Sequence, residues 1–327
     1  MNRVYIKDTD VSKYVYNIPN INQKIDRYGS LMVINDITIT GDKEFWNVNN
    51  PKSPLYKVDY QFMEMKIIDD DTNVEIYKGL LRDINIVNES ASIIITNRFD
   101  TIMNTYIPYY FCDMMTPAEI IEDILVQNNI NFNATDMPRA IDIQNQAGLQ
   151  VTAQVTPSNN ITIGGLITQL CKASMSILGF VNNQARLFQY NPDEEPIISY
   201  TITDKDIFNI AIKKESNTPF NGYRVIYSIN QMTQENSNMY QDINLGEDQI
   251  ITLYNPSGAL WLGENLIAYN NKLKESIELE VINELVILQL GGHIELDTEE
   301  YGKFVYRIVG LDKSDISIKL NLEYADD

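Results

Sequence analysis

The sequence predicts a mainly β protein of the α+β class, in which two sheet-rich regions flank a small α/β region. Three observations carry this prediction. Apolar and polar residues alternate over much of residues 1–104 and again from about 197 onward. A helical period appears mainly between those regions. The segment Asn191-Pro192-Asp193-Glu194-Glu195-Pro196 then breaks the chain, because two prolines and three acids cannot continue a sheet. The expected organisation is an N-terminal β domain over 1–104, a middle α/β domain over 105–196 and a C-terminal β domain over 197–327. The last carries a loop-and-helix insertion near 230–274. A chain of 327 residues exceeds what one compact core usually holds, which agrees with such a division.

Leu31-Met32-Val33-Ile34 predicts a strand ahead of Asn35-Asp36, and Ile37-Thr38-Ile39-Thr40 alternates before Gly41-Asp42. Residues 60–68 alternate through Tyr60, Phe62, Met65 and Ile67. Asp69-Asp70-Asp71-Thr72-Asn73 stops them and Val74–Tyr77 resumes, which predicts a hairpin. A second hairpin is expected where Ile84–Val87 and Ser92–Thr96 flank Asn88-Glu89-Ser90. In Thr116-Pro117-Ala118-Glu119 a capping hydroxyl precedes a proline at the first helical position and a carboxylate three residues after the cap. Ile120, Ile121, Ile124 and Leu125 then share a helix face that Asn128-Asn129 closes. A second helix is expected from Thr162, followed by strands 176–181 and 185–190 around an Asn182-Asn183 turn, a compact αββ unit. Strands are expected at 223–227, 276–281, 285–290, 293–296, 304–309 and 316–322. A mobile polar loop is expected at 231–239, and a helix at 260–273. The letters alone show no internal repeat.

Composition narrows function. No stretch approaches the ~20 apolar residues of a bilayer-spanning helix, and Met1-Asn2-Arg3-Val4-Tyr5 enters alternation without the apolar core of a signal peptide, so a cytoplasmic origin and no membrane partner are expected. A net charge of −20 argues against wrapping nucleic acid, which needs clustered Lys and Arg. It suits plain solubility, and equally a wall past which DNA slides without sticking. Cys112 and Cys171 lack metal or redox spacing and are expected as buried thiols. The single histidine, His293, is expected at a turn into a strand, as a surface or turn residue without an orienting partner, which leaves no Ser-His-Asp or Cys-His catalysis. No nucleophile elbow or phosphate loop occurs, and Ile163-Gly164-Gly165-Leu166 is no dinucleotide fingerprint. Asp69-Asp70-Asp71 and Asp193-Glu194-Glu195 suit solvated turns or weak binding of a hard cation. No enzyme activity, catalytic residue, cofactor or structural metal is expected.

The positive signal is aromatic. Tyr106-Ile107-Pro108-Tyr109-Tyr110-Phe111 joins the first β region to the helical one, and tyrosine combines large contact area with a polar tip. Tyr106, Tyr109, Tyr110 and Phe111 fit an interdomain core, a contact between subunits or a sugar-stacking platform.

Three segments together resemble the tail-hub proteins of tailed bacteriophages and contractile injection systems. The first comprises Asp10-Val11-Ser12-Lys13-Tyr14-Val15, then Asn49–Tyr56, then a hairpin closing through Val74-Glu75-Ile76-Tyr77-Lys78-Gly79-Leu80-Leu81-Arg82-Asp83-Ile84. The second is the αββ unit at 162–190. The third is a helix followed by Leu288-Gln289-Leu290-Gly291-Gly292-His293-Ile294-Glu295-Leu296, Arg307-Ile308-Val309-Gly310-Leu311 and a final strand. The resemblance implies two β-barrel-like domains around the small α/β domain, and a homotrimer whose six barrels match a sixfold tail tube. It also implies a virion tail location after assembly in the host cytoplasm. The partners implied are the tail tube and other baseplate proteins, with DNA or tape-measure protein passing through the lumen without specific binding. An outer tail-tip module binding host-surface glycan or protein is the alternative. A cell-wall hydrolase would need a further domain, and none is expected after the closing strand series.

Overall fold

The computed structural model describes residues 2–19, 21–24, 30–31, 36–70, 73, 75–181, 184–192, 196–214, 222–234, 240–272, 275–282, 285, 288–314 and 317–325. Its N-terminal strands are β1 (Asn2–Ile6), β2 (Thr9–Asp10), β3 (Val15–Asn17), β4 (Ile21–Lys24), β5 (Ser30–Leu31), β6 (Ile37–Asp42), β7 (Glu64–Asp69), β8 (Glu75–Val87) and β9 (Ser90–Thr96). Seven of them form one sheet in the order β2-β1-β7-β8-β9-β6-β3. A 3-10 turn at Ser12–Tyr14 links β2 to β3, the two ends of that order. In a flat sheet those ends would lie about 29 Å apart, six spacings of about 4.8 Å. The residues between Asp10 and Val15 reach at most about 18 Å. The sheet therefore rolls toward a barrel, with Ile39, Trp46, Met65, Ile67, Leu81, Ile93 and Ile95 inside it. Trp46 comes from the short helix α1 (Lys43–Trp46), whose start is capped by the Asp42 carboxylate. Both expected hairpins are present, β7–β8 and β8–β9, the second turning at Asn88, a residue with positive φ. Tyr60 and Phe62 precede β7 in turns, so that strand starts later than alternation suggests.

The middle of the chain holds α2 (Arg98–Met103), β10 (Tyr110–Met115), α3 (Pro117–Gln127), α4 (Asp136–Ala147), β11 (Val151–Val155), α5 (Ile163–Ser174), β12 (Ser176–Val181) and β13 (Gln184–Gln189). The capping box at Thr116 and Glu119 forms as expected, and the Thr162 hydroxyl accepts from the Gly165 amide to start α5. The αββ unit is present, while the Asn182-Asn183 turn and 193–195 lie outside the described residues. Helix α4 is locked to the hairpin by the bidentate Arg186–Asp136 pair. Gln144 lies inside, accepting from the Ala118 amide and donating to Gln189.

The C-terminal region contributes β14 (Ile198–Thr203), β15 (Ile207–Lys214), β16 (Gly222–Ser228), β17 (Asn230–Gln234), β18 (Tyr240–Gly246), β19 (Ile251–Leu253), α6 (Pro256–Lys272), β20 (Glu275–Ile282), β21 (His293–Thr298), β22 (Gly302–Lys313) and β23 (Ser317–Tyr324). Its large sheet runs β14-β21-β22-β23-β20-β15, and the end strands are again joined by a 3-10 turn, Asp204–Asp206. This sheet too must roll, since five spacings of about 4.8 Å exceed the reach from Thr203 to Ile207.

The two rolled sheets share one topology and one register. The meander β7-β8-β9 corresponds to β21-β22-β23, β6 to β20, β3 to β15 and β2 to β14, with β1 the single strand added to the first. One constant shift places Leu81 on Ile308, Asp83 on Gly310, Ile93 on Leu320 and Ile95 on Leu322, so both meanders bulge at the same point. The bulge at Val15/Asn17 recurs at Ile207/Asn209. Ile37 and Ile39 meet Ile95 and Ile93, as Ile277 and Leu279 meet Leu322 and Leu320. Every one of these eight side chains is buried.

Two sequence expectations are corrected here. Residues 285 and 288–290 do not continue a strand: Leu285, Leu288 and Leu290 are buried, but in turns leading to Gly291, where φ is +80°. The supposed loop at 231–239 is strand β17 over its first part, paired with β16, and 235–239 lie outside the described residues. The helix expected at 260–273 is α6, which begins earlier and lies against β16. There Gly263 admits the Tyr223 ring, to which a Cβ would come within 2.3 Å.

Candidate interaction surface

The aromatic run crosses from the first barrel to the helical middle of the chain on a pinned backbone. Tyr106 bridges Thr162, the Ile107 amide donates to the Ile161 carbonyl, and the Ile163 amide donates to the Thr105 carbonyl. Strand β10 then alternates, as a period of two requires. Tyr110 and Cys112 face inward, while Phe111 and Asp113 face out. The Tyr110 hydroxyl donates to Asp123 of α3 at 2.8 Å, and burial pushes its pKa up. Tyr106, Tyr109 and Phe111 are exposed, and so is Met114, which has positive φ next to the strand's bulge. The three roles left open by sequence therefore divide: Tyr110 is core, and the other three aromatics are surface. β10 is also the end strand of a three-stranded sheet, β10-β11-β19.

Sequence reasoning missed a further pair of exposed rings. Tyr16 on β3 and Phe208 on β15 occupy the same place in the two barrels, one residue past the strand start, and are 61% and 62% exposed. The signal was present in Ser-Lys-Tyr-Val15-Tyr16-Asn17 and Asp-Lys-Asp-Ile207-Phe208-Asn209, two short matching phrases.

The titratable groups that sequence singled out serve the fold. His293 stands at a turn into a strand as expected, but it is not on the surface. It opens β21, half-buried opposite Arg307, and its pKa is lowered to about 4 by burial, then by Arg307 and Arg139. The Arg307 guanidinium reaches Glu323 at 2.5 Å, and Glu323 also accepts from the Tyr269 hydroxyl of α6 at 3.1 Å. Asp69 is buried and Asp70 pairs with Arg3, whereas Asp71 and 193–195 lie outside the described residues. Among the described residues, no three His, Cys, Asp or Glu side chains converge on a common point. Cys112 and Cys171 are buried, unbridged thiols, and burial pushes Cys171 up to about 11.

The two barrels touch through charge as well as backbone. Lys313, the last residue of β22, is lowered to about 8 by burial, while the Asp69 carboxylate at the end of β7 opposes that shift. Backbone crosses as well: β4 leaves the first barrel and pairs antiparallel with β22 of the second, Gly310 opposite Lys24 and Lys313 opposite Ile21.

The overall fold recurs in solved structures. The tail protein from Neisseria meningitidis MC58 superposes with a TM-score of 0.64 at 9% identity, over 98% of this chain and 95% of its own. The 43 kDa tail protein of prophage MuSo2 from Shewanella oneidensis gives 0.60 at 10%, over 98% and 95%. The chain has a tail-protein fold. An E. coli type VI secretion component, described as similar to T4 bacteriophage tail proteins gp27 and gp5, shares that fold at 0.55 and 8% identity, over 99% of this chain and 77% of its own. No family model matches the sequence, and no curated protein does. The tail-protein fold is thus preserved here with about one residue in ten in common.

Proposed function

We propose that this chain is a structural, non-enzymatic component of a phage-type tail, and specifically its hub. In this reading three copies close into a ring that joins the tail tube to the tail tip and lines a channel for DNA or tape-measure protein. The carrying observation is the register-matched pair of barrels. A trimer of such chains presents six nearly equivalent modules, which is what docking onto a sixfold tube requires. The surplus of acids, 45 against 25 basic residues, suits a channel that repels phosphate instead of binding it. The working division is into barrels over 1–104 and 197–327 with the α/β module over 105–196 between them. Tyr106, Tyr109 and Phe111 mark a face for neighbouring tail proteins, held rigid by the Tyr110–Asp123 anchor behind it. The site of action is the virion tail, reached after assembly in the host cytoplasm.

Native mass measurement of the purified chain tests this reading. A trimer is the expected species, and a strict monomer at high concentration would remove the ring. The same exposed rings would suit sugar stacking at an outer tail tip. Binding of the isolated chain on a glycan array would replace the hub reading with that one.

A further inference from the structure

The matched register exposes one difference between the barrels. The shift that superposes the meanders sets Asp83, Ile84, Asn85 and Ile86 of β8 on Gly310, Leu311, Asp312 and Lys313 of β22. In the second barrel the outer edge of that segment is covered by β4. In the first barrel, among the described residues, no strand lies there. The consequence shows in burial. Leu311 is 2% exposed and Gly310 is buried, whereas Ile84 is half-buried, Asn85 is exposed, Ile86 is 41% exposed and Val87 is 53% exposed. The Ile84 amide is met by its neighbour's carboxylate, Asp83 Oδ1 at 2.9 Å. An apolar, unpaired edge of this kind is a template for an added strand.

The occupant follows from where β4 originates. It belongs to the connection between β3 and β6, so the first barrel lends a strand to the second. The matching connection of the second barrel runs from β15 to β20 and contains the small sheet β17-β16-β18, with β17 at its edge and Ile229 exposed beside it. Strand β17 spans five residues, the length of the Asp83–Val87 edge. We propose that in the assembled ring the Asp83–Val87 edge receives β17 of a second copy of this chain. Lending within a chain then alternates with lending between chains. Each contact is head-to-tail, and the series closes when the last copy lends to the first. This rests on the self-association proposed above.

The test uses the full chain with a photo-crosslinking benzoyl-phenylalanine at position 86, irradiated as the purified oligomer and mapped by mass spectrometry. The expected product joins position 86 to residues 222–246 of a sister chain. Alongside it, the double variant Ile86→Lys/Val87→Lys, both changes at exposed positions, is expected to keep its far-UV spectrum and Tm while associating at least about tenfold more weakly. Crosslinks elsewhere on the sister chain, crosslinks absent from a confirmed oligomer, or unchanged association in the double variant each overturn the strand exchange while leaving self-association intact. A wild-type chain that stays monomeric overturns both.

Discussion

Lys313 gives a pH test of how the two barrels are held. Burial lowers its pKa from 10.5 to about 8 even with Asp69 pulling the other way. At 1.36 kcal/mol per pKa unit, that difference is worth about 3 kcal/mol against the protonated form in the folded state. The unfolded chain keeps the ordinary value, so between pH 8 and 10.5 it binds more protons than the native protein, and native stability rises with pH across that window. The contribution is fully present above pH 10.5, is lost as pH falls through 8, and is essentially gone at 7. Lys313→Met removes the titration and keeps the aliphatic bulk. Urea unfolding of both proteins from pH 7 to 10.5 is the assay, and the pH dependence of their difference isolates the Lys313–Asp69 pair from the other titrating groups. The stability of the variant relative to the wild type is expected to fall by about 3 kcal/mol from pH 7 toward pH 10.5, on top of a constant cost for leaving the buried Asp69 without its cation. A relative stability that stays constant with pH, or that rises, would refute the assignment of Lys313 as a desolvated base between the barrels.

His293 titrates in the acid range with the same sense. Its folded pKa of about 4 lies below the usual 6.5, so stability present above pH 6.5 should fall as pH drops through 4, and His293→Leu should flatten that loss in thermal melts. Glu323→Gln leaves the buried Arg307 guanidinium without its counter-charge and is expected to cost about 3–5 kcal/mol in urea unfolding, where a loss below about 1 would contradict the burial of the pair. Thr116→Ala removes the N-cap of α3 and is expected to cost about 1 kcal/mol without changing the m-value.

What the sequence disclosed and what it withheld follow from the range of the interactions. The Asn88 turn, the Thr116–Glu119 capping box and the Thr162 cap are written within four residues, and each forms where the letters put it. Helix α4 escaped because its buried face, Met137, Ala140, Gln144 and Ala147, includes only one large apolar side chain. Strand β17 escaped because Asn230-Gln231-Met232-Thr233-Gln234 is polar and is a strand by its backbone pairing with β16. The apolar run around Leu288 gave the opposite error, since burial alone does not distinguish a strand from a buried turn. Beyond the short phrases at 12–17 and 204–209, the equivalence of the barrels was out of reach of the letters. Tyr77 stands where Phe304 does and Ile95 where Leu322 does, but Ile86 stands where Lys313 does, and the pairing register is what extends the match. For the surface, the aromatic run marked the correct segment. Within that run, that Tyr110 faces in and Phe111 out was fixed by the phase of β10, set by its long-range pairing with β11.

The central claim is that two equivalent barrels per chain build a ring of six like modules. Rotational averaging of cryo-electron images of the purified particle, viewed down its axis, measures this most directly. The account predicts a threefold ring around an open centre whose density also repeats, at lower detail, every sixth of a turn. A twofold or asymmetric particle, or a threefold one whose two barrels lie at different radii, would contradict it.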